Sequence, residues 1–497
     1  MVRELNNLTH ESNGQQDVLR VAAGGFDRAQ MRAVIKAQQP AVIKRLKEWV
    51  ALPSIAAENL NMKEGAEMLC DLLTEAGFQY TKVLPTDGAP GVFATFDAGS
   101  PRTVGVYFLY DVKQFDPAEW SSPPLVGEIV EKPDLGKVMI GRGAWNSKGP
   151  QMAFLAALHA LRAAGLNPPV NLVLVADGEE EICSPHFPQI VGDSEVVAAL
   201  SKCKEIFLPW PAQSPEGDVE ILLGTKGWVE LELTASTERW GRGAKDDIHS
   251  SHKAELDSAV WHLVKALNTL VSEDGNDPAI DDWFENVVPL TERQKELVSK
   301  KVATTSEGDV KNRFGVQCWV RDLSYYDAME RLASKPTVNI QGLIAGYTGP
   351  GGNTVLPNKA TAKLDLRLVP NQTGEEAVVK IKAHLAKRGF GDVEVKSITL
   401  DPHEIDEDST LIKAAIATYE SEGLLVNLWP RSGGSWPGAI FSRPPISLAA
   451  GGFGTGHGGR AHAPDEYYVI EAINPKLRGM AESTLSYISF LFALAET

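Results

Sequence analysis

The densest group of chemically active side chains is a carboxylate cluster made of Asp177, Glu179, Glu180 and Glu181. The cluster directly follows residues 170–176, an apolar run with the composition of a buried strand. Open α/β sheets bind ligands at the carboxyl ends of their strands. Carboxylates held close together repel one another, so they either bind a cation or acquire the raised proton affinity of a general base. Taken alone, the cluster fits a solvated acidic turn equally well.

Four other segments accompany the cluster in a fixed order along the chain. They are Tyr110-Asp111-Val112, Gly141-Arg142-Gly143-Ala144-Trp145-Asn146-Ser147-Lys148-Gly149, Asp247-Ile248-His249-Ser250 and Ala461-His462-Ala463-Pro464-Asp465-Glu466. With the carboxylate cluster between the second and the third, these segments resemble the signature set of the carnosinase, succinyl-diaminopimelate desuccinylase and carboxypeptidase G metallopeptidases. The resemblance is closest to the carnosinase branch, and it covers the chain from about residue 40 to its end.

The resemblance implies a catalytic centre and assigns roles within it. Members of this family bind two zinc or similar ions through a His, a bridging Asp, a Glu, a second Asp and a distal His. A neighbouring Glu activates the water between the ions. Carried over to this chain, the resemblance implies that Glu180 is the general base, Glu181 a metal ligand and His462 the distal ligand.

Three ligand positions of that pattern carry residues of another kind. The first His of the family falls on Leu109, the bridging Asp on Asn146, and the second Asp near Pro209. Leucine and proline side chains coordinate no metal, and an amide oxygen is a poor bridge between two cations. The site is therefore predicted to hold at most one divalent ion, Zn²⁺ or Mn²⁺, at Glu181, His462 and Asn146, or to hold none. His457 is close enough in sequence to His462 to be considered as a replacement ligand.

The middle of the chain supplies the residues that the resemblance implies for substrate binding. His249 matches a histidine that reaches from the lid of one subunit into the partner's active site and stabilises the oxyanion. Arg367 and Thr354 match positions that hold the carboxylate or the scissile carbonyl of the substrate, and an arginine fork suits a carboxylate. Gly434 and Ser435, in a Gly-Gly-Ser loop, are assigned to the same task.

The elements that must position these residues indicate an α/β fold. Apolar runs at 103–109 and 170–176 alternate with a helical pattern at 151–164, which is typical of a mostly parallel sheet flanked by helices. Strand patterns at 337–345, 362–369 and 393–399 surround a helical stretch at 375–386. We therefore expect a zinc-exopeptidase-like catalytic domain in two parts, 1–225 and 401–497, with an inserted α+β lid and dimerisation domain at 226–400.

Composition limits the possible partners and the location. The net charge of −17 argues against binding to nucleic acid or to an anionic membrane surface, so we expect a small-molecule substrate and a homodimer formed through the inserted domain. Residues 1–27 lack the pattern of a signal peptide, and the chain has no long apolar run, which predicts a cytoplasmic protein. The four cysteines are widely separated, so neither a disulfide framework nor a zinc knuckle is indicated.

The leading functional hypothesis is a hydrolase of an amide-type C–N bond in a small carboxylate-bearing substrate, such as a dipeptide or an N-acyl amino acid. An alternative is a metal-independent deaminase, lyase or isomerase that uses Glu180 as a proton shuttle. For that alternative, Trp145, Trp210 and Trp436 would line a pocket for an apolar substrate, although they suit ordinary core packing equally well. The third hypothesis is a non-catalytic pseudoenzyme that is kept as a binding subunit.

Overall fold

A computed structural model describes residues 25–497, and these form two compact units. Unit 1 ends its first part at Ile221 and also contains Asp406–Asn427 and Arg443–Thr497, while unit 2 consists of Leu222–Ile405 and Leu428–Ser442. The segment 428–442, which the sequence prediction places in the last part of the catalytic domain, thus belongs to unit 2. Its backbone is fixed there because Ser432 donates to the carbonyl of Gly224 at 2.9 Å and accepts from the N–H of Lys226 at 3.1 Å.

The described residues contain the following strands and helices. The strands, in chain order, are β1 (Tyr80–Leu84), β2 (Gly91–Phe96), β3 (Thr103–Leu109), β4 (Glu128–Lys132), β5 (Gly136–Ile140), β6 (Asn171–Asp177), β7 (Cys203–Pro209), β8 (Val219–Leu222), β9 (Gly224–Thr225), β10 (Gly227–Ser236), β11 (Ile248–His249), β12 (Thr337–Ala345), β13 (Val355–Leu356), β14 (Lys359–Leu368), β15 (Glu394–Leu400), β16 (His403–Glu404), β17 (Val426–Trp429), β18 (Ala449–Phe453), β19 (Gly458–Gly459) and β20 (Tyr467–Ala472). The α-helices are Arg28–Ala51, Met62–Ala76, Lys148–Ala163, Phe187–Val191, Ser194–Leu200, Thr237–Trp240, Ala259–Asn268, Glu292–Thr304, Glu307–Phe314, Tyr325–Ser334, Gly374–Lys387, Thr410–Ser421, Gly438–Ser442 and Met480–Glu496.

Unit 1 is built on a six-stranded sheet with the order β1-β2-β6-β3-β7-β18. The pairs β3–β6, β3–β7 and β7–β18 are parallel, whereas β1–β2 and β2–β6 are antiparallel. The central strands β3 and β6 are almost wholly buried, and residues 104–109 and 172–176 within them are apolar runs, as expected for strands that are covered on both faces. The predicted α/β fold with a largely parallel sheet flanked by helices is confirmed.

The strand and helix predictions nearest the carboxylate cluster agree closely with the structure. The strand predicted at 103–109 is β3, and the one predicted at 170–176 is β6, which is shifted by one residue. The helix predicted at 151–164 begins earlier, at Lys148, because Gly149 and Pro150 are accommodated in its first turn, where a proline costs no hydrogen bond. This helix therefore starts directly after the loop that carries Asn146.

Unit 2 contains a four-stranded antiparallel sheet with the order β12-β14-β10-β15. Leu231 and Leu364, on the two central strands, share one core with Leu263 of the helix Ala259–Asn268 and Ile381 of the helix Gly374–Lys387. The helix Ala259–Asn268 begins directly after Ser258, whose side chain accepts the N–H of Trp261 and caps the N-terminus of the helix. The architecture is the predicted α+β arrangement.

Some segments lie outside the sequence prediction or outside the described residues. Three helices between residues 292 and 334 have mainly polar sequences and were not predicted, since few of their residues are buried.

The predicted absence of a signal peptide concerns residues 1–27, most of which lie outside the described residues. Within residues 25–497, the helices lack the combination of length and apolar character that crossing a bilayer requires.

Candidate active site

The carboxylate cluster lies at the carboxyl edge of the unit 1 sheet. β3 ends at Leu109 and pairs in parallel with β6, which ends at Asp177, so Asp111 and the cluster emerge at the same edge. The buried carboxylate of Asp111 accepts the backbone N–H groups of Glu180 at 3.2 Å and Glu181 at 3.0 Å. Asp111 thereby fixes the turn that carries both glutamates.

The three residues predicted to hold a metal ion lie together in the structure. Glu181 Oε1 lies 2.6 Å from Asn146 Nδ2, and Glu181 Oε2 lies 3.0 Å from His462 Nε2. Asn146 Nδ2 is also 3.1 Å from His462 Nε2. The side chain of Glu181 is only 4% exposed, whereas that of His462 is 50% exposed. The sequence motifs around these three residues therefore converge on one small polar site.

Glu180, the predicted base, is half-buried next to this group. Its pKa is raised well above the ordinary value, first by desolvation and then by the negative charges of Glu181 and Asp177, while the charge of Lys113 opposes the rise. Burial likewise raises the pKa of Asp177 to about 6. A carboxylate with a raised pKa accepts a proton more readily near neutral pH, which is the property that a general base needs.

Sequence reasoning missed Lys113, which lies against Glu181. Its Nζ is 3.6 Å from Glu181 Oε2 and donates a hydrogen bond to the backbone carbonyl of Glu181. Lys113 follows Asp111 by two residues, just after the end of β3. A cation at the carboxyl end of a strand, so close to a suspected cation site, is the signal that could have identified it.

Glu466 is the last residue of the motif at 461–466, but no role was predicted for it from the sequence. Its buried carboxylate binds Arg142 Nη1 at 2.7 Å, and the side chains of this pair are 1% and 3% exposed. The same carboxylate accepts the backbone N–H groups of Gly143 at 3.1 Å, Trp145 at 3.0 Å and Asn146 at 2.8 Å. Glu466 therefore ties the loop that carries Asn146 to the segment that carries His462.

His457, which was considered as a replacement metal ligand, is engaged elsewhere in the structure. The ring is buried, with Nδ1 at 3.1 Å from the carbonyl of Gln213 and Nε2 at 3.2 Å from the hydroxyl of Tyr467. Desolvation lowers its pKa, which favours the neutral ring. Both ring nitrogens thus have partners in the protein that are not metal-site residues.

The surroundings of His462 include aromatic side chains. A cavity of 340 Å³ in unit 1 is lined by Phe115, Trp120, Arg142 and His462, among others. This volume suits a small molecule. The rings of Trp145 and Trp210 lie 5.6 Å apart and tilted, so these two tryptophans form a pair.

In unit 2, Arg367 is held between two partners. Its Nε and Nη2 bind the carboxylate of Asp365 at 2.9 and 3.0 Å, and its Nη1 donates to Ser435 Oγ at 3.1 Å. Ser435 Oγ in turn donates to the carbonyl of Lys226 at 2.6 Å, and the N–H of Gly434 donates to Ser432 Oγ at 3.1 Å. Arg367, Gly434 and Ser435 therefore belong to one hydrogen-bonded group.

His249 and Thr354 are also brought together within unit 2. The short strands β11 and β13 pair, and the N–H of Ser250 donates to the carbonyl of Thr354 at 2.7 Å. His249 Nδ1 accepts the N–H of Ser251 at 3.1 Å, so the neutral ring carries its proton on Nε2. The imidazole is exposed and presents a hydrogen-bond donor.

Comparison with known proteins identifies the class of this protein. Residues 110–485 match the model for peptidase family M20/M25/M40, and the chain belongs to this family. The human Beta-Ala-His dipeptidase is 26% identical over 415 residues, covering 77% of this chain and 78% of that protein. The Cys-Gly metallodipeptidase dug1 of Schizosaccharomyces pombe is also 26% identical, with 71% and 74% covered. The predicted family and enzyme class are confirmed.

A solved structure gives the same result for the fold. The M20 family metallo-carboxypeptidase Sso-CP2 from Sulfolobus solfataricus superimposes with a TM-score of 0.80 and 28% sequence identity. The match covers 92% of this chain and 99% of that chain. Two of these relatives are named as metal-dependent peptidases, so the residues of this chain must be compared with the ligands that a pair of metal ions needs.

The residues at this edge of the sheet do not fit a two-metal site. Leu109 and Pro209 end the neighbouring strands β3 and β7, are buried, and have no atoms that coordinate a metal ion. Within residues 25–497 no group of three or more His, Cys, Asp or Glu side chains is placed to hold an ion. The potential metal ligands that remain are Glu181 and His462, which contact each other, and the neutral Asn146, which contacts both.

Proposed function

We propose that this chain hydrolyses an amide-type C–N bond in a small carboxylate-bearing molecule, a dipeptide or an N-acyl amino acid. The observation that carries the proposal is Glu180, a carboxylate of raised pKa at the carboxyl edge of the sheet, next in the chain to Glu181, which contacts Asn146 and His462. Membership of a peptidase family and the dipeptidase names of its relatives support the same reaction. The 340 Å³ cavity beside His462 suits a substrate of this size.

The proposed reaction uses Glu180 twice. Glu180 first accepts a proton from water as the water oxygen attacks the carbonyl carbon, and then delivers this proton to the nitrogen as the C–N bond breaks. The products are a carboxylic acid and an amine. The Nε2–H of His249 is proposed to stabilise the oxyanion of the intermediate. The proposal allows at most one divalent ion, Zn²⁺ or Mn²⁺, at Glu181, His462 and Asn146, and none of these steps uses it.

A turnover screen tests the proposed reaction. Purified protein is incubated with dipeptides and N-acyl amino acids, with chelator and with added Zn²⁺ or Mn²⁺, and the products are analysed by mass spectrometry. We expect some substrates to gain one water and yield an acid and an amine. Loss of ammonia, or a product of unchanged mass, would instead support the deaminase, lyase or isomerase hypothesis. Binding without any turnover would support the pseudoenzyme hypothesis.

Arg367 is proposed to hold the carboxylate of the substrate, and Thr354, Gly434 and Ser435 are proposed to contribute to substrate binding as well. Replacing Arg367 with methionine is expected to raise KM by about tenfold to a hundredfold, because a hydrogen bond to a charged group is lost. Because the reacting atoms are untouched, kcat should change less. Steady-state kinetics on the best substrate of the screen would measure both constants.

The control for Arg367 is another arginine–aspartate pair in unit 2. Arg388 Nη2 lies 2.7 Å from Asp281, and both side chains are about one-third exposed, like that of Arg367. Arg388→Met removes the same charge elsewhere and should leave KM unchanged. An equal rise in KM in both variants would show that net charge, and not a carboxylate contact at Arg367, determines binding.

A homodimer formed through the inserted domain is also part of the proposal. The edge strand β12 carries three exposed apolar side chains, Ile340 at 49%, Leu343 at 49% and Ile344 at 77% exposure. An apolar edge strand favours pairing with another chain. The helix Ala259–Asn268 buries Leu263 and Leu267 in the core of its own unit. The support for a dimer interface therefore comes from β12 and not from this helix.

A cytoplasmic location stays a prediction from the sequence.

If His249 acts in the site of the partner subunit, two inactive variants should complement each other. Glu180→Gln and His249→Ala subunits, mixed in equal amounts and allowed to exchange, should recover about a quarter of wild-type activity, because half of the dimers are mixed and each of these has one intact site. Native mass spectrometry would verify that mixed dimers form. Mixed dimers without recovered activity would show that His249 does not act across the interface.

A further inference from the structure

We infer that the ammonium group of Lys113 supplies the positive charge that metal ions supply in the metallopeptidase relatives. The negative charge of Glu181 is then compensated without a metal ion. The inference rests on the proposed function, because it concerns the same site and reduces its limit of one ion to none. The residues at the carboxyl edge of the sheet do not match the metal chemistry of the family, because Leu109 and Pro209 have no atoms that coordinate a metal ion.

Lys113 is placed to neutralise Glu181. A carboxylate that is buried away from water needs a compensating charge and hydrogen bonds, and the Glu181 side chain is 4% exposed. The Lys113 ammonium has two contacts with this residue, an ion pair at 3.6 Å to Oε2 and a hydrogen bond to the backbone carbonyl. The side chain of Lys113 is itself only 33% exposed, which limits screening of the pair by solvent.

The remaining acceptor positions of Glu181 face nitrogen atoms. Oε1 accepts the amide N–H of Asn146 at 2.6 Å, and Oε2 faces His462 Nε2 at 3.0 Å. The Oδ1 of Asn146 accepts a hydrogen bond from Ser147 Oγ at 3.1 Å, which orients the amide with its NH₂ group toward Glu181. A divalent ion at Glu181 would have to break the hydrogen bond from Asn146 and would be repelled by the ammonium of Lys113.

The other carboxylates nearby are already engaged by the backbone. Both oxygens of Asp111 accept N–H groups of the turn, Asp177 accepts the N–H of Glu179 at 2.8 Å, and Glu179 accepts the N–H of Ala89 at 3.0 Å. Moving Asp111 toward an ion would break the hydrogen bonds that fix the turn, and within residues 25–497 no group of three or more His, Cys, Asp or Glu side chains is placed to hold an ion. Glu181 and His462 therefore have no strong third ligand, and three or four protein donors are the usual number for zinc.

The test measures metal binding directly. Chelator-treated protein is titrated with Zn²⁺ or Mn²⁺ by calorimetry, and the metal content of untreated protein is determined by elemental analysis. The wild type is expected to contain no stoichiometric metal and to show no saturable uptake. The double variant Lys113→Gln/Asn146→Asp loses the ammonium and gains a carboxylate, and it should bind Zn²⁺ at least about tenfold more tightly than Asn146→Asp alone. Lys113→Gln keeps an N–H donor for the Glu181 carbonyl, and Lys113→Ala is the second version of the same change.

The matched control is Lys82, whose Nζ lies 2.8 Å from Glu195 in an exposed ion pair of unit 1. Lys82→Gln combined with Asn146→Asp should bind no more tightly than Asn146→Asp alone. One tightly bound equivalent of Zn²⁺ or Mn²⁺ in the wild type would overturn the inference, as would equal affinity with and without Lys113. These readouts need no turnover, so a protein without hydrolytic activity that shows the expected metal behaviour would overturn only the proposed function.

Discussion

Replacing Glu180 with glutamine is expected to lower kcat at least about a hundredfold, the usual scale for the loss of a general base. The amide keeps the size of the side chain but takes no proton from water, so substrate affinity should change little. Turnover of the best substrate from the screen would be followed by product quantification. Circular dichroism and thermal unfolding would show whether the fold is retained.

The control for this variant is Glu131, an exposed carboxylate on β4. Glu131→Gln makes the same chemical change away from the site and should leave kcat unaltered. If Glu180→Gln keeps near-normal turnover, Glu180 is not the base. The proton acceptor would then have to be sought among the other buried carboxylates, of which Asp111 has a strongly raised pKa caused by burial and by the charge of Glu181.

The edge of the sheet could be predicted from the sequence because two local patterns agree there. β3 and β6 are continuous apolar runs followed at once by polar residues, so the strands and the edge at which Asp111 and Glu180 emerge follow from composition. His462 and Asn146 lie far from these strands in sequence. Their convergence on Glu181 was expected only from the family resemblance, because no local pattern encodes it.

Other features depend on contacts that the sequence does not display. The ion pair of Lys113 with Glu181 depends on where a flexible side chain comes to rest, and the burial of Glu466 on the packing of two distant segments. The placement of the segment 428–442 in unit 2 depends on backbone pairing of Ser432 with Gly224. Each of these outcomes is tertiary, whereas periodicity and composition report local structure.

The site as a whole shows how a cluster of buried carboxylates is stabilised. Backbone N–H groups satisfy Asp111, and a lysine, an amide and an imidazole surround Glu181. Desolvation and neighbouring charges raise the pKa of both Glu180 and Asp111, but the oxygens of Asp111 accept backbone N–H groups of the turn, which leaves Glu180 as the carboxylate that does not hold the turn in place. A group that is left in this state is the one best suited to exchange a proton with substrate.

Removing the carboxylate of Glu466 should have the largest effect on stability. Glu466→Ala leaves the buried guanidinium of Arg142 without its counter-charge, and breaking a buried pair in this way costs about 3–5 kcal/mol. Three backbone N–H groups of the Asn146 loop also lose their acceptor. Urea titration followed by tryptophan fluorescence should show a clear decrease in the unfolding midpoint.

An exposed pair of equal length separates burial from charge in this experiment. Lys137 Nζ and Glu471 Oε2 are 2.7 Å apart, as are Arg142 and Glu466, but their side chains are 48% and 51% exposed. Glu471→Ala should therefore leave the unfolding midpoint essentially unchanged, since water solvates the lysine that remains. If both variants lost the same stability, the cost would come from the ion pair itself. If neither lost any, the loop that carries Asn146 would not depend on Glu466.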